Sequence, residues 1–148
     1  MTETLIHIQS LPAHSSVADR QVVDLPMMAA DRRRVRRRLV APDGQHFALA
    51  LPTGSVLPVD HPLYVTDTTL YRITAAAEEV LVISPHSIDE AVLVGHLIGN
   101  LHRDIDIVDG QLIALWDAPL EQQLHRVGVP CVREQRPFKG RPPGEHSH

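Results

Sequence analysis

Gly95-His96-Leu97-Ile98-Gly99-Asn100-Leu101-His102 places an imidazole directly after a Gly-Asn helix stop, and His146-Ser147-His148 carries two more at the end of the sequence. Neutral imidazole is a borderline-soft ligand suited to Ni2+, Zn2+ and Cu2+. One helix-end histidine is a good ligand but a poor site. His96 does not complete it, because six residues along a continuous helix separate the two side chains by about 120°. The partners of His102 must come from the tail, from a second subunit across a nearby two-fold axis, or from both. Two imidazoles on a flexible tail can close over an ion and release it again, which suits a carrier. The plain alternative is a solvated histidine favoured by the dipole at a helix C-terminus.

Other chemistries find less support. Counting a calcium loop from Asp104 puts Asp109 where the sharp turn needs glycine and Val108 where an oxygen ligand is needed. There is no Gly-x-Ser-x-Gly elbow, phosphate loop or HExxH pattern, so the chain is not read as an enzyme. A metal-dependent hydrolase would need an acidic base beside His102, and Asp104 is the nearby candidate. Cys131 follows Pro130 in an expected strand and reads as core, and Trp116 reads as a packing residue. Arg32-Arg33-Arg34-Val35-Arg36-Arg37-Arg38 holds six of the fourteen basic residues, leaving eight basic against eighteen acidic elsewhere. That run could bind nucleic acid on a ferredoxin-like sheet, the alternative function. However, no aromatic residue is interleaved to stack bases, and arginines on an edge strand also discourage edge pairing. A protein-docking surface is the preferred reading.

These residues need elements to hold them. With 43% apolar and 22% charged residues the composition is that of a soluble globular protein, and no apolar run approaches a membrane span. The start, Met1-Thr2-Glu3-Thr4-Leu5, lacks the basic and apolar features of a signal peptide, so a cytoplasmic location is expected. A single cysteine excludes an internal disulfide and cysteine-cluster metal sites. Six histidines (His7, His14, His46, His61, His86 and His125) read as isolated.

The spacing predicts an α+β chain of two domains. Residues 1–76 form a small all-β domain, a sandwich or partly open barrel, with strands at Leu5–Ile8, Gln21–Leu25, Arg36–Val40, His46–Leu51, Tyr64–Val65 and Leu70–Thr74. Pro42-Asp43-Gly44 marks a hairpin, and no helix interrupts the strands. Ala75–Glu79 is the expected junction. Residues 77–138 then run strand, helix, strand, strand, helix, strand, the ferredoxin-like βαββαβ unit. Its first helix opens on a Ser87–Glu90 capping box and offers Ile88, Ala91, Val92, Val94, Leu97 and Ile98 to a core. Asp104–Val108 and Gln111–Leu115 flank an Asp109-Gly110 turn. A second helix from Asp117 offers Leu120, Leu124 and Val127, and Cys131–Arg136 closes the sheet. Residues 139–148 form a flexible, histidine-bearing tail.

The chain resembles the UreE family of urease accessory nickel metallochaperones over nearly its whole length. Arg36-Arg37-Arg38-Leu39, Asp43-Gly44 and Leu49-Ala50-Leu51-Pro52-Thr53-Gly54 are similar to its amino-terminal hairpin and Leu-Pro-Arg-Gly-Thr stretch. Gly99-Asn100-Leu101-His102 is similar to its Gly-Asn-Arg-His, and Gly128-Val129-Pro130, Pro137-Phe138 and the tail also correspond. The resemblance implies a first domain like a peptide-binding domain of Hsp40-type chaperones and a homodimer through the second domain. It also implies Ni2+ held by His102 of both subunits with His146 and His148 as further ligands, a site that also admits Zn2+ or Cu2+. The implied partners are a urease accessory GTPase and the apo-urease activation complex, with no nucleic acid and no membrane. Leu101 and Thr53 replace arginines of the pattern, Leu97 stands where some members have histidine, and the tail has two histidines. One to a few ions per dimer are therefore expected.

Overall fold

In the computed structural model, which describes residues 4–14 and 17–140, the chain divides into two units, Met1–Ala76 and Ala77–His148. The first contains β1 (Leu5–Ile8), β2 (Gln21–Met27), α1 (Ala29–Arg32), β3 (Arg36–Val40), β4 (His46–Ala50), β5 (Pro62–Val65) and β6 (Thr69–Ala75). The second contains β7 (Ala77–Ile83), α2 (Ile88–Asn100), β8 (Asp106–Val108), β9 (Gln111–Leu115), α3 (Ala118–Arg126) and β10 (Cys131–Pro137). The chain is an α+β protein dominated by sheet, with three helices among the described residues. None of them is long and apolar enough to cross a membrane.

Strict alternation builds the first unit. Val23, Leu25 and Met27 of β2 turn inward, while Asp24 and Pro26 face out. Pro26 costs no ladder bond of consequence because β2 is the edge of a three-stranded sheet ordered β2-β6-β5. A second sheet is ordered β1-β4-β3. Ile8, Phe47 and Leu49 from it share one core with Val23, Leu25, Tyr71 and Ile73 from the other. Each sheet joins an antiparallel hairpin to one parallel strand, β1 on β4 and β2 on β6. Short-strand spacing carries no sign of parallel pairing, which depends on where the long connections travel.

Three expectations change here. The strands are interrupted, since α1 occupies Ala29–Arg32. The junction is strand on both sides, with Ala76 alone between β6 and β7. The arginine run is also divided in role. Arg32 is buried and its Nη1 donates to the Met27 carbonyl at 2.7 Å. Arg37 is half-buried, with its Nη2 at 3.6 Å from Met27 Sδ. Four guanidiniums remain exposed, those of Arg33, Arg34, Arg36 and Arg38, the last two on edge strand β3.

The second unit is one four-stranded sheet, β10-β7-β9-β8, with every pair antiparallel. Asp109 and Gly110 both take positive φ (51° and 77°), as a two-residue hairpin between β8 and β9 requires. β8 starts at Asp106 rather than Asp104. Leu81, Ile83, Leu112 and Ala114 form the sheet side of a core closed by Val94 and Ile98 of α2 and Leu120 and Leu124 of α3. Both helices therefore pack on the same sheet face. Ile88, Val92 and Val127, expected in that core, are 82%, 65% and 64% exposed. At about 100° per residue Ile88 and Val92 lie about 120° and 160° round α2 from the buried Val94, and Val127 is the cap just beyond α3.

A strong polar contact links the two sheets of the first unit. The Tyr71 hydroxyl on β6 donates to Asp43 Oδ2 at 2.6 Å, in the turn between β3 and β4. Burial, then the bond and charge of Asp43, push the Tyr71 pKa up to about 12. A phenol held more tightly protonated in the folded state than at its ordinary value of 10.0 stabilises the fold fully below that value. The contribution disappears as pH rises from there towards about 12. Unfolding followed by urea at stepped alkaline pH is expected to show stability falling through this window, and Tyr71→Phe to remove that slope. An unchanged slope in Tyr71→Phe would assign the alkaline loss elsewhere.

Candidate metal centre

His102 is placed by the way α2 ends. Its start is fixed first: Ser87 Oγ accepts the Glu90 N–H at 3.1 Å. Glu90 does not return the bond to Ser87, as a capping box would. Its Oε1 instead accepts the His86 N–H at 3.0 Å, with the His86 imidazole 3.1 Å away. Those contacts, the backbone bond foremost, hold the Glu90 carboxyl below its ordinary range.

At the other end the helix continues through Asn100, and Leu101 is the cap. The Arg103 N–H donates to the Ile98 carbonyl at 3.2 Å and the His102 N–H to the Gly99 carbonyl at 3.0 Å. This is the Schellman pair of reversed bonds, and it demands a left-handed residue between the helix and Arg103. That residue is His102, with φ 56°. Glycine normally fills the position, and an L side chain there costs about 1–2 kcal/mol. The imidazole is exposed, and no described side chain is shown bonded to it.

The surroundings anchor the backbone rather than the ring. Arg103 Nη2 reaches Asp117 Oδ1 at 3.3 Å, while Asp117 Oδ2 accepts the Leu120 N–H at 3.2 Å and starts α3. The end of α2 is thus tied to the start of α3. Beyond β10, Phe138 is completely buried. A Cβ at Gly140 would collide with the Phe138 ring and meet Asp104 Cβ at 3.0 Å. The backbone at Gly140 therefore lies against Asp104, two residues from His102. Sequence reading missed both arrangements, although an aromatic directly after a strand and a glycine two residues later were signals for the second.

Of the three ligands expected from sequence, His102 lies exposed at the end of α2, and His146 and His148 lie outside the described residues. Among the described residues no group of three or more His, Cys, Asp or Glu is arranged to hold a metal. His96 is also exposed, on the helix body. Cys131 is half-buried and burial pushes its thiol up, with Glu121 adding to the effect. A thiol kept protonated is a weak ligand and nucleophile. Trp116 is a packing residue, with the Arg133 guanidinium 4.2 Å from its ring centroid. Arg133 in turn pairs with Glu121 and Glu79, each at 3.2 Å. Two histidines read as isolated are not: His61 Nδ1 lies 3.3 Å from His14 Nε2.

The strained conformation at residue 102 gives a direct measurement. Replacing His102 by Gly is expected to relieve the left-handed strain against a smaller entropic cost, for a net gain of about 0.5–1 kcal/mol. Thermal unfolding of the metal-free protein should show a raised midpoint for His102→Gly. A lowered midpoint would mean that the imidazole is retained for a stabilising contact and not as a ligand.

Residues 1–76 match the family model described as the UreE urease accessory protein, N-terminal domain. A protein named urease accessory protein UreE from Synechococcus sp. (strain JA-3-3Ab) is 54% identical over 129 residues, covering 86% of each chain. One of the same name from Deinococcus radiodurans is 47% identical over 134 residues, covering 90% of this chain and 86% of the relative.

Proposed function

This chain belongs to the UreE family of urease accessory proteins, and we propose that it is a cytoplasmic, homodimeric carrier that supplies Ni2+ for assembly of the urease active site. It is an accessory protein and not an enzyme. Nickel is the cargo. His102 of both subunits forms the fixed part of its site, and His146 or His148 completes it. Delivery runs through the accessory GTPase to apo-urease. The strand order of residues 77–138 supports reading them as a ferredoxin-like unit that carries the metal and the dimer contact.

The observation that carries the reading is residue 102 itself. An exposed imidazole sits where glycine would be more stable, so something other than folding retains it. Gly140 supports the role of the tail. From that point beside Asp104, six residues to His146 span at most about 20 Å. That is ample to bring a tail imidazole back to His102. α2 supports the dimer: Ile88 and Val92 are exposed, and Gly95 and Gly99 continue the same stripe towards His102. A second copy packed two-fold across that stripe near Gly99 would bring the two His102 residues together. Sparse coordination of this kind leaves the ion exchangeable, whereas a closed four-ligand site would retain it. Imidazole sites of this kind also bind Zn2+ and Cu2+.

The first unit we assign to partner docking, through the exposed arginines of β3. Burial of Arg32 removes part of the basic run, which weakens the alternative that the run grips nucleic acid.

A calorimetric nickel titration tests the centre. The expected result is about one tightly bound ion per dimer, with that tight site lost in His102→Ala and only weakened in a chain ending at Gly144. Affinity should fall as pH drops below about 6.5, where free imidazole protonates. Undiminished binding in His102→Ala, or affinity flat from pH 5 to 8, would rule out the interfacial imidazole site. Val92→Glu is expected to yield monomers by light scattering and to lose the tight site with them.

A further inference from the structure

We propose that His14 and His61 form a second, labile site for a borderline divalent transition-metal ion, one in each protomer and wholly within the first unit. His61 Nε2 lies 2.9 Å from the Pro12 carbonyl oxygen. A carbonyl can only accept, so this nitrogen carries the proton and Nδ1 is left with its lone pair. Anchoring the far nitrogen of an imidazole to a backbone carbonyl is the arrangement that orients histidine ligands in metal sites. The free Nδ1 lies 3.3 Å from His14 Nε2, with the rings inclined at 70°. That separation is long for a hydrogen bond. It falls between the roughly 3.0 Å and 3.4 Å expected for two nitrogens sharing one ion at about 2.1 Å, in right-angled and tetrahedral geometry respectively.

The His61 ring is held in place before any ion arrives. The backbone at His61 is clamped to β6, with the Asp60 N–H on the Ile73 carbonyl at 2.7 Å and the Ile73 N–H on the His61 carbonyl at 2.9 Å. Leu11, packed against the core, fixes the segment that carries His14. His61 is half-buried and His14 exposed, so the shared position opens to solvent. Two nitrogens give a weak site. Water or an exchangeable ligand fills the remaining positions, and Ni2+, Zn2+ and Cu2+ are the ions that two imidazoles select. This site does not depend on His102 or on the dimer.

Zn2+, which is diamagnetic, is the probe. The full chain carrying His102→Ala, His146→Ala and His148→Ala is titrated with ZnCl2 while imidazole 15N resonances are followed. The expected result is one saturable site per protomer that shifts His61 Nδ1 and His14 Nε2, weakened about tenfold or more by adding His14→Ala. His61→Gln, whose amide can still donate to Pro12, should weaken it similarly without unfolding the loop. Absence of a saturable shift, shifts at other histidines, or unchanged affinity in His14→Ala would each overturn the proposal and leave the pair a hydrogen-bonded one. Nickel stoichiometry of the unaltered dimer at His102 is read separately, so failure of one site is distinct from failure of the other.

Discussion

Two reversed hydrogen bonds at the end of α2, Arg103 to Ile98 and His102 to Gly99, decide how the candidate centre is built. They close the last carbonyls of the helix and turn the chain away from its axis, and this forces residue 102 into left-handed conformation. Ile98 is fully buried on the sheet, so the carbonyl that receives the Arg103 bond cannot drift. The side chain of residue 102 projects from a rigid corner without being packed. A ligand needs that combination if it must be in a fixed place and yet open to a second subunit and a tail. Glycine would close the helix at lower cost but would bring no nitrogen.

The second constraint is the pairing of Arg103 with Asp117. Asp117 serves two elements, capping α3 with one oxygen and holding the end of α2 with the other. The corner is therefore braced by both helices, which share one core over Leu81, Ile83, Leu112 and Ala114. Phe138 and Gly140 bring the last described residues to the same neighbourhood. The origin of the tail and the helix-end histidine are thus neighbours because of packing at β10 and Phe138. A segment leaving from another edge would face a longer loop closure to reach His102.

The first unit shows how a run of like residues divides its work. Arg32 is committed to the Met27 carbonyl and Arg37 approaches the sulfur of Met27, while Arg33, Arg34, Arg36 and Arg38 face solvent. The charge count of the run is therefore larger than the charge available to a partner. On edge strand β3 the exposed guanidiniums also discourage unwanted strand pairing.

Local periodicity and turn chemistry determined much of this protein from sequence. Asp109-Gly110 had to be a two-residue hairpin because both residues tolerate positive φ, Ser87 and Asp117 had to begin helices because their oxygens cap exposed amides, and Gln21–Leu25 had to form a strand. Those are interactions over a few residues, and sequence spacing encodes them directly. Gly99-Asn100-Leu101-His102 likewise marked the candidate ligand and the family resemblance. Sequence did not contain the parallel pairing of β1 with β4, the exposure of Ile88, Val92 and Val127, the burial of Arg32, or the meeting of His14 with His61 across 47 positions. Each of these depends on which distant segment arrives beside a given residue. Helical period says where a side chain points, and only the packed sheet says whether anything is there to meet it.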